Sequence, residues 1–460
     1  MDRLFKLREH GTTVRTEIIA GLTTFMTMAY ILFVNTLFLG EGGAGIPNQA
    51  VFFATAVGAG LVTLAMGFFV NIPIALAPGM GLNAYFMTVV LSSGGDITWQ
   101  TALGAVFLSG IIFIILTVTK VRQLLLSAVP NNLRVAITVG IGLFITIIGF
   151  KLSNILMVSV NPDDKLDVSK GAVLNTNQFN IILGDFIHNK DSLLTIIALF
   201  LIAILMAMKV RGALLIGIVA ATLIGIPMGV TNVKGLSDAS WLPSFDNLAV
   251  GKLDIAGAFG VGIVEIILVF TFVELFDTFG TLVGTASRAG LLKDKAKGEK
   301  LIGKAMLVDA AGVSAGALLG TSTITSYVES TSGVAEGGRT GLTSVTTGVL
   351  FLLALFIAPL ALVVPSAATA PALIIVGVLM MASIKEIEWG NFVEAFPAFL
   401  TIVLMPFTYS IANGISFGIV SYTVLAALYN TTASKRVPLH WLMWVLSILI
   451  IARYIWLGAA

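Results

Sequence analysis

Between residues 18 and 430 the chain repeatedly runs apolar for the roughly 20 residues that an α-helix needs to cross about 30 Å of hydrocarbon, and this constrains the fold before anything else does. Backbone in hydrocarbon must satisfy its own hydrogen bonds, so such runs read as helices rather than open strands. Spans are expected near 18–38, 50–70, 74–91, 99–118, 134–152, 192–209 and 212–230. A second set is expected near 258–286, 304–320, 321–339, 342–363, 371–384, 392–409 and 412–430. The C-terminal apolar stretch 438–457 carries Trp441, Trp444, Tyr454 and Trp456, side chains suited to a membrane interface. It reads equally as a further span or as a helix along the membrane surface. Composition agrees, with 57% hydrophobic and 11% charged residues, against about a quarter charged in soluble domains. The expected fold class is an all-α polytopic membrane protein of about fourteen transmembrane helices.

The basic N-terminus MDRLFKLREHGTTVRTE runs into apolar residues from Ile18 to about Leu39 without an A-x-A-like cleavage site, so it reads as leading into a first span rather than as a signal peptide. The bias of Lys and Arg in short loops puts the N-terminus in the cytoplasm of a multi-pass cell-membrane protein. Arg3, Lys6, Arg8, Arg15, Lys120, Arg122 and Arg134 fall inside, as do Lys209, Arg211, the run from Arg288 to Lys304 that includes Lys293, Arg339, Lys385, Lys435 and Arg436. Of the outside loops, 39–49, 92–98 and 364–370 hold neither residue type, while the longer 153–191 and 231–257 hold a few, which the rule tolerates poorly but does not forbid.

Several chemistries are excluded or disfavoured. There is no Cys, and His10, His188 and His440 fall in loops or at segment ends, which leaves no thiolate or histidine metal site in the membrane. A net charge of +2 without a Lys/Arg tract argues against nucleic acid as a partner. GEKLIGKA (298–305) fits G-x-x-x-x-G-K but ends in Ala305 and leads into a span, so it lacks the hydroxyl and the strand of a P-loop. No cofactor, metal or enzymatic activity is expected.

Two spans are interrupted. Thr321–Ser344, TSTITSYVESTSGVAEGGRTGLTS, has 11 Ser or Thr and four Gly among 24 residues, and it carries Glu329. Irregular backbone at membrane depth is tolerated only where protein surrounds it or where it lines a watery cavity. The segment 74–90, IALAPGMGLNAYFMTVV, has Pro78, Gly79, Gly81 and Asn83 in mid-span. Seven spans precede the 231–257 loop and seven follow it. The odd number inverts the second half, and the irregular span is the third of each. Paired interruptions of this kind point to a transporter's binding site.

Carboxylates inside the membrane cost about 2.5–3.5 kcal/mol each on insertion scales, so each needs a reason. Glu274 and Asp277, three apart, share a helix face. Glu265, nine residues earlier, lies about 180° round and reads as structural or cavity-lining. Glu274 and Glu329 suit acceptance of hydrogen bonds from ligand N–H groups, one of them also taking a proton; the alternative is that Glu274 or Asp277 only ties its helix to nearby amides or hydroxyls. Asn83 offers donor and acceptor to a mixed-edge heterocycle, or else caps the half-helix that follows. Tyr327 reads as a stacking or hydrogen-bonding partner of a flat ligand, or as filler. Thr24, Thr27 and Tyr30 form a polar stripe that helix packing explains nearly as well. Asp309 and Glu394 read as end or packing contacts. No Lys or Arg falls in the cores of spans 1, 3, 8 or 10, which favours a neutral, N–H-rich ring over a small anion.

Four stretches carry a family resemblance: GTTVRTEIIAGLTTFMTMAYILFVN (11–35), ALAPGMGLNAYF (75–86), FVELFDTFGTLVG (272–284) and TSTITSYVESTSGVAEGGRTG (321–341). In register over essentially the whole chain, they resemble the AzgA-like hypoxanthine/guanine/adenine permeases of the nucleobase–cation symporter and nucleobase–ascorbate transporter group. The resemblance implies two inverted seven-helix repeats as in the bacterial uracil permease, 1–230 and 258–430, with 438–457 as an extra helix. Core parts 18–118 and 258–363 would face gate parts 134–230 and 371–430, and short strands of spans 3 and 10 would meet at the midplane. It implies purine binding by Glu274 and Glu329 with Asn83 and Asp277 implicated, and Tyr327 and Thr27 complete the expected site. The uracil permease has His where this chain has Thr278, so its proton path does not transfer. The expected function is proton symport of a purine nucleobase by alternating access, a uracil, xanthine or small-anion transporter on the same fold being the alternative. Expected partners are the purine, protons and the lipid bilayer, with a homodimer left open.

Overall fold

The computed structural model describes residues 2–119, 121, 128–160, 179–233, 236, 241, 247–259, 263–292, 295–432 and 436–457. Of the expected inside charges, Lys120, Arg122, Lys293 and Lys435 lie outside the described residues.

After a turn of helix at Asp2–Phe5, α1 (Val14–Met28) starts behind Thr13, whose hydroxyl accepts from the Thr16 amide at 3.2 Å. The first expected span breaks at Ala29–Tyr30 and resumes as α2 (Ile31–Leu39). α3 (Asn48–Ala65) ends in a wide π turn, and Asn71 then takes a left-handed φ of 62°, a conformation Asn tolerates better than most residues. β1 (Leu76–Pro78) leads into α4 (Met80–Ser92), followed by α5 (Trp99–Val118) and α6 (Asn131–Leu152). β2 (Leu156–Val160), β3 (Phe179–Leu183), α7 (Lys190–Ala207) and α8 (Ala213–Met228) complete the first half. The second half holds α9 (Ile263–Arg288), α10 (Lys295–Leu319), β4 (Ile324–Ser326), α11 (Ser330–Ala335), α12 (Gly341–Leu353), α13 (Ala358–Val363), α14 (Ser366–Met381), α15 (Phe392–Phe407) and α16 (Ile411–Thr432), with α17 (Trp441–Leu457) at the end.

Among the described residues, nine stretches are long and apolar enough to cross a bilayer, and α4, α8, α15 and most of α17 are apolar but shorter. The elements fall in the expected intervals with three local differences. α10 begins at Lys295 rather than 304 because the charged loop KAKGEK is rich in helix formers and simply extends the helix. That helix also contains the GEKLIGKA stretch. The interval 342–363 is bent by a 3-10 turn at Ala354–Ile357, just before Pro359 in α13. The stretch 153–191, expected to be a loop, contains an antiparallel hairpin pairing Leu156 with Leu183 and Val160 with Phe179. Hydropathy scanned for helices passes over five-residue strands of this kind.

The two interrupted segments meet. β1 and β4 pair antiparallel, with Leu76 opposite Ser326, Ala77 opposite Thr325 and Pro78 opposite Ile324. Pro78, which has no N–H to give, sits at the strand end. Side chains satisfy the rest of this irregular backbone, as burial demands. The Thr63 hydroxyl accepts from the Leu76 amide at 2.9 Å and donates to its carbonyl at 3.0 Å. The Ser330 hydroxyl accepts from the Ala75 amide at 3.0 Å, and Ser344 donates to the carbonyls of Ile72 and Ile74. Part of the Ser/Thr richness of 321–344 therefore serves the fold itself.

Packing falls into two groups. α12 lies along α1 and α3, and α10 along α5; α14 and α15 lie along α6, α14 also along α7, and α15 along α16. Glu17, wholly buried in α1, binds the N-terminus of α12. Its carboxylate accepts from the amides of Arg339, Thr340 and Thr343 and from the Thr343 hydroxyl at 2.6 Å, an anion where a helix start presents free N–H groups and partial positive charge.

Candidate functional site

β4 ends two residues before Val328–Glu329, and α11 starts immediately afterwards. The strand-to-helix turn thus presents the Glu329 carboxylate beside α1. Tyr30, buried at the break in the first span, donates its hydroxyl to Glu329 Oε1 at 2.9 Å. One turn earlier on α1, the Thr27 and Ser332 hydroxyls are 3.0 Å apart, and Ser332 also donates to the Glu329 carbonyl at 2.7 Å. The stripe Thr24–Thr27–Tyr30 is therefore shared between packing and the site: Thr24 bonds its own helix at the Ala20 carbonyl, while Thr27 and Tyr30 hold the Glu329 turn. Close approach is possible because α11 presents Gly333 to α1, where a Cβ would sit 2.7 Å from the Ala20 carbonyl oxygen.

A second polar cluster lies behind the strand pair. Glu274 and Asp309, almost wholly buried, both face the Thr278 hydroxyl. It lies 3.0 Å from Glu274 Oε1, 2.9 Å from Asp309 Oδ2 and 2.9 Å from Thr325 Oγ1. Asp309 Oδ1 accepts in addition from the Ser326 amide at 2.9 Å and its hydroxyl at 2.7 Å. Asp309 is thus a partner of the cluster rather than an end contact. Nothing in span 9 alone marks it; its role comes from β4 folding back over α10.

The six expected site residues do not share one pocket. Glu329 is the only one of them, among the described side chains, to line a cavity of about 640 Å3 bounded also by Gly280 and Thr281 of α9, Asn131 and Arg134 of α6, and Val376 and Met380 of α14. That volume falls in the range of small-molecule sites. Tyr327 is buried and its hydroxyl donates to the Pro78 carbonyl at 2.5 Å, which ties the two interrupted segments together. Asn83 sits inside α4, one turn past Gly79, which takes the cap position. It is wholly buried, its Oδ1 accepts from the Ser322 hydroxyl, and its Nδ2 has no partner among the described residues. Asp277 and Glu265 lie on α9 with side chains outside the described residues. Arg134, expected among the inside charges, lines this cavity. The described residues hold no cluster of His, Cys, Asp and Glu fit for a metal ion.

The model of the Permease family (Xan_ur_permease) matches residues 15–417. The chain belongs to this permease family. Over 425 residues the permease is 43% identical to the adenine permease AdeP of Escherichia coli, covering 92% of this chain and 90% of AdeP. It is 42% identical over 470 residues to the guanine/hypoxanthine permease PbuG of Bacillus subtilis, covering 99% and 100% of the two chains. Its fold resembles the transmembrane domain of the cyanobacterial bicarbonate transporter BicA, with a TM-score of 0.62 at 16% identity, over 87% of this chain and 97% of that one. The family and these relatives are transporters, so the permease is a multi-pass membrane transport protein and not an enzyme.

Proposed function

We propose that the permease carries purine nucleobases, hypoxanthine, guanine or adenine, across the cell membrane in symport with protons. The observation that carries this reading is Glu329: an acceptor held by Tyr30 at the wall of a cavity roomy enough to admit a purine, in a chain 43% identical to an adenine permease and 42% identical to a guanine/hypoxanthine permease. A carboxylate is the acceptor that best fits ring N–H groups, since hydrogen bonds to charged groups are the stronger ones. In this reading Glu329 and Glu274 bind the N–H edges as the site closes. Asn83 turns its unpartnered amide toward a ring nitrogen or carbonyl, and Asp277 and Thr27 support them. Tyr327 keeps the two broken segments in register.

Hydrogen counting around Thr278 favours a proton in the cycle. A threonine hydroxyl has one hydrogen to donate, yet Thr278 faces both Glu274 and Asp309 at hydrogen-bond distance. Asp309 already accepts from Ser326, so the Thr278 hydrogen completes an ionised Asp309, and a proton on Glu274 makes the remaining contact a hydrogen bond too. Loss of that proton leaves two acceptors face to face.

For the architecture we favour about fourteen spans in two inverted repeats. Pairing of β1 with β4 from the third segment of each half supports this, as does the division of the packing into a core (18–118 with 258–363) and a gate (134–230 with 371–430). The cavity lies between these parts, near Arg134 and Glu386, at ends that the Lys/Arg bias assigns to the cytoplasm together with the N-terminus.

The test is uptake of labelled hypoxanthine, guanine and adenine into proteoliposomes with an acid-outside gradient, before and after a protonophore. Accumulation should vanish with the gradient, and Glu329→Gln should abolish it. Wild-type uptake by that variant removes the central role of Glu329. Uptake indifferent to the gradient removes proton coupling. Competition by uracil or bicarbonate, but not by purines, moves the assignment to the alternative substrates.

A further inference from the structure

The cavity that Glu329 lines also carries a cation without a role in transport as proposed above. Arg134 sits in the first turn of α6, half-buried, and lines the same cavity as Glu329. Its Nε is buried and meets no acceptor among the described residues, and none of the ion pairs found there includes it. The neighbouring Asn132 is occupied, exchanging hydrogen bonds with the backbone of Glu388. A buried donor of a charged group left without an acceptor is costly, and here it borders a cavity of about 640 Å3.

We propose that Arg134 is a gate-side subsite for the acceptor edge of the ligand and a determinant of specificity for 6-oxopurines. This rests on the purine reading above. The guanidinium is a planar fork of donors that stays charged and matches paired acceptors. The 6-oxygen and N7 of guanine or hypoxanthine form such a pair, whereas adenine places an N–H donor beside N7. Glu329 accepts and Arg134 donates, so one cavity offers both complements of a neutral ring whose N–H edge and acceptor edge lie on different sides. A cation on the α6 wall is also absent from the set of spans whose lack of Lys and Arg argues against anions. Arg134 therefore sits where the ligand meets the gate rather than where Glu329 holds it.

The experiment measures equilibrium binding of hypoxanthine and of adenine to the purified full-length protein, wild type and the variants Arg134→Gln and Arg134→Lys, each shown to be monodisperse. Loss of one good bidentate contact corresponds to roughly a tenfold or greater weakening. Arg134→Gln should weaken hypoxanthine by at least about that factor and adenine by less than about threefold, with Arg134→Lys between, as a single point donor would be. Equal losses on both bases, unchanged hypoxanthine binding, or a wild type that prefers adenine overturns the subsite. A wild type that binds neither base defeats the purine reading itself. A flat Arg134→Gln response on a wild type that binds hypoxanthine defeats only this inference.

Discussion

Gly333→Ala tests whether the seat of α11 against α1 positions Glu329. By intrinsic propensity alone, alanine should favour a helix by about 1 kcal/mol over glycine, so a purely local account expects a slight gain. The structure expects the reverse. The new Cβ would lie 2.7 Å from the Ala20 carbonyl oxygen, about 0.7 Å inside the 3.4 Å where ordinary contact begins, and would also meet the Thr24 hydroxyl. Neither obstacle yields easily: one is backbone, and the other is tied to that backbone at 3.0 Å. If α11 backs away by the missing 0.7 Å, the Tyr30–Glu329 bond of 2.9 Å opens to about 3.6 Å, which is no longer a hydrogen bond. Overpacking costs about 1–3 kcal/mol, and a lost bond to a charged group about 1.5–3 kcal/mol. The second term, carried into ligand affinity, is roughly 10- to 150-fold in Kd. Hypoxanthine binding and proteoliposome uptake on the purified variant measure it. Both within twofold of wild type, in a folded protein, would refute the claim that this glycine sets the Glu329 geometry.

Two further outcomes follow from the buried clusters. Thr278→Val removes the hydroxyl between Glu274 and Asp309 without changing the shape; a buried acceptor left unmet costs about 1–3 kcal/mol, so gradient-driven uptake should fall about tenfold or more, Thr278→Ser should restore it, and equal uptake by the valine variant would clear Thr278 of any part in coupling. Glu17→Ala removes the carboxylate that three amides and a hydroxyl at the start of α12 donate to, leaving the Thr343 amide and hydroxyl only their longer bonds to the Thr340 and residue-17 carbonyls; at about 1–3 kcal/mol for a buried unmet donor and roughly 2–4 °C per kcal/mol in domains of 150–250 residues, the thermal midpoint in detergent should drop by roughly 5 °C or more, and an unchanged midpoint would show that α12 does not depend on this cap.

What the sequence makes legible is whatever hydrophobicity and its interruption encode locally. The apolar intervals place most of the helices to within about five residues, α10 excepted, and the Pro/Gly and Ser/Thr breaks mark the segments that become β1 and β4. Glu329 is legible for the same reason, being a carboxylate in a stretch that no lipid-facing helix would tolerate. Asp309 and Glu17 are not, because each sits in an ordinary amphipathic helix and gains its role only from a partner segment more than a dozen residues away: Ser326 for Asp309, Thr340 and Thr343 for Glu17. The place of Arg134 in the cavity wall is not legible either. A basic residue at a span end satisfies the inside-positive bias whether it faces water or a cavity, and only the packing of α6 against α14, facing α9, distinguishes the two. For Tyr327 the sequence leaves a ligand role and filling open, and what it does not signal is the bond of its hydroxyl to the Pro78 carbonyl.

β4 is the element through which the two carboxylate clusters can act on each other. Thr325 and Ser326 touch the Thr278–Asp309 cluster on one side, and Glu329 follows three residues after Ser326. The strand is pinned along its length by β1, and the chain beyond it by the Tyr327 amide donating to the Ala75 carbonyl at 3.0 Å. A change in the hydrogen bonding of Thr278 therefore cannot be absorbed by a flexible loop before it reaches the turn that presents Glu329. It must move the strand or be resisted by it. In the proton-coupled reading this supplies a mechanical link between a protonation event at Glu274 and the turn that presents Glu329. It also ranks the variants. Thr278→Val should change how uptake responds to the gradient more than it changes hypoxanthine affinity at equilibrium, whereas Gly333→Ala should do the opposite. If both variants shift affinity and gradient response in the same proportion, the strand is not a coupling element.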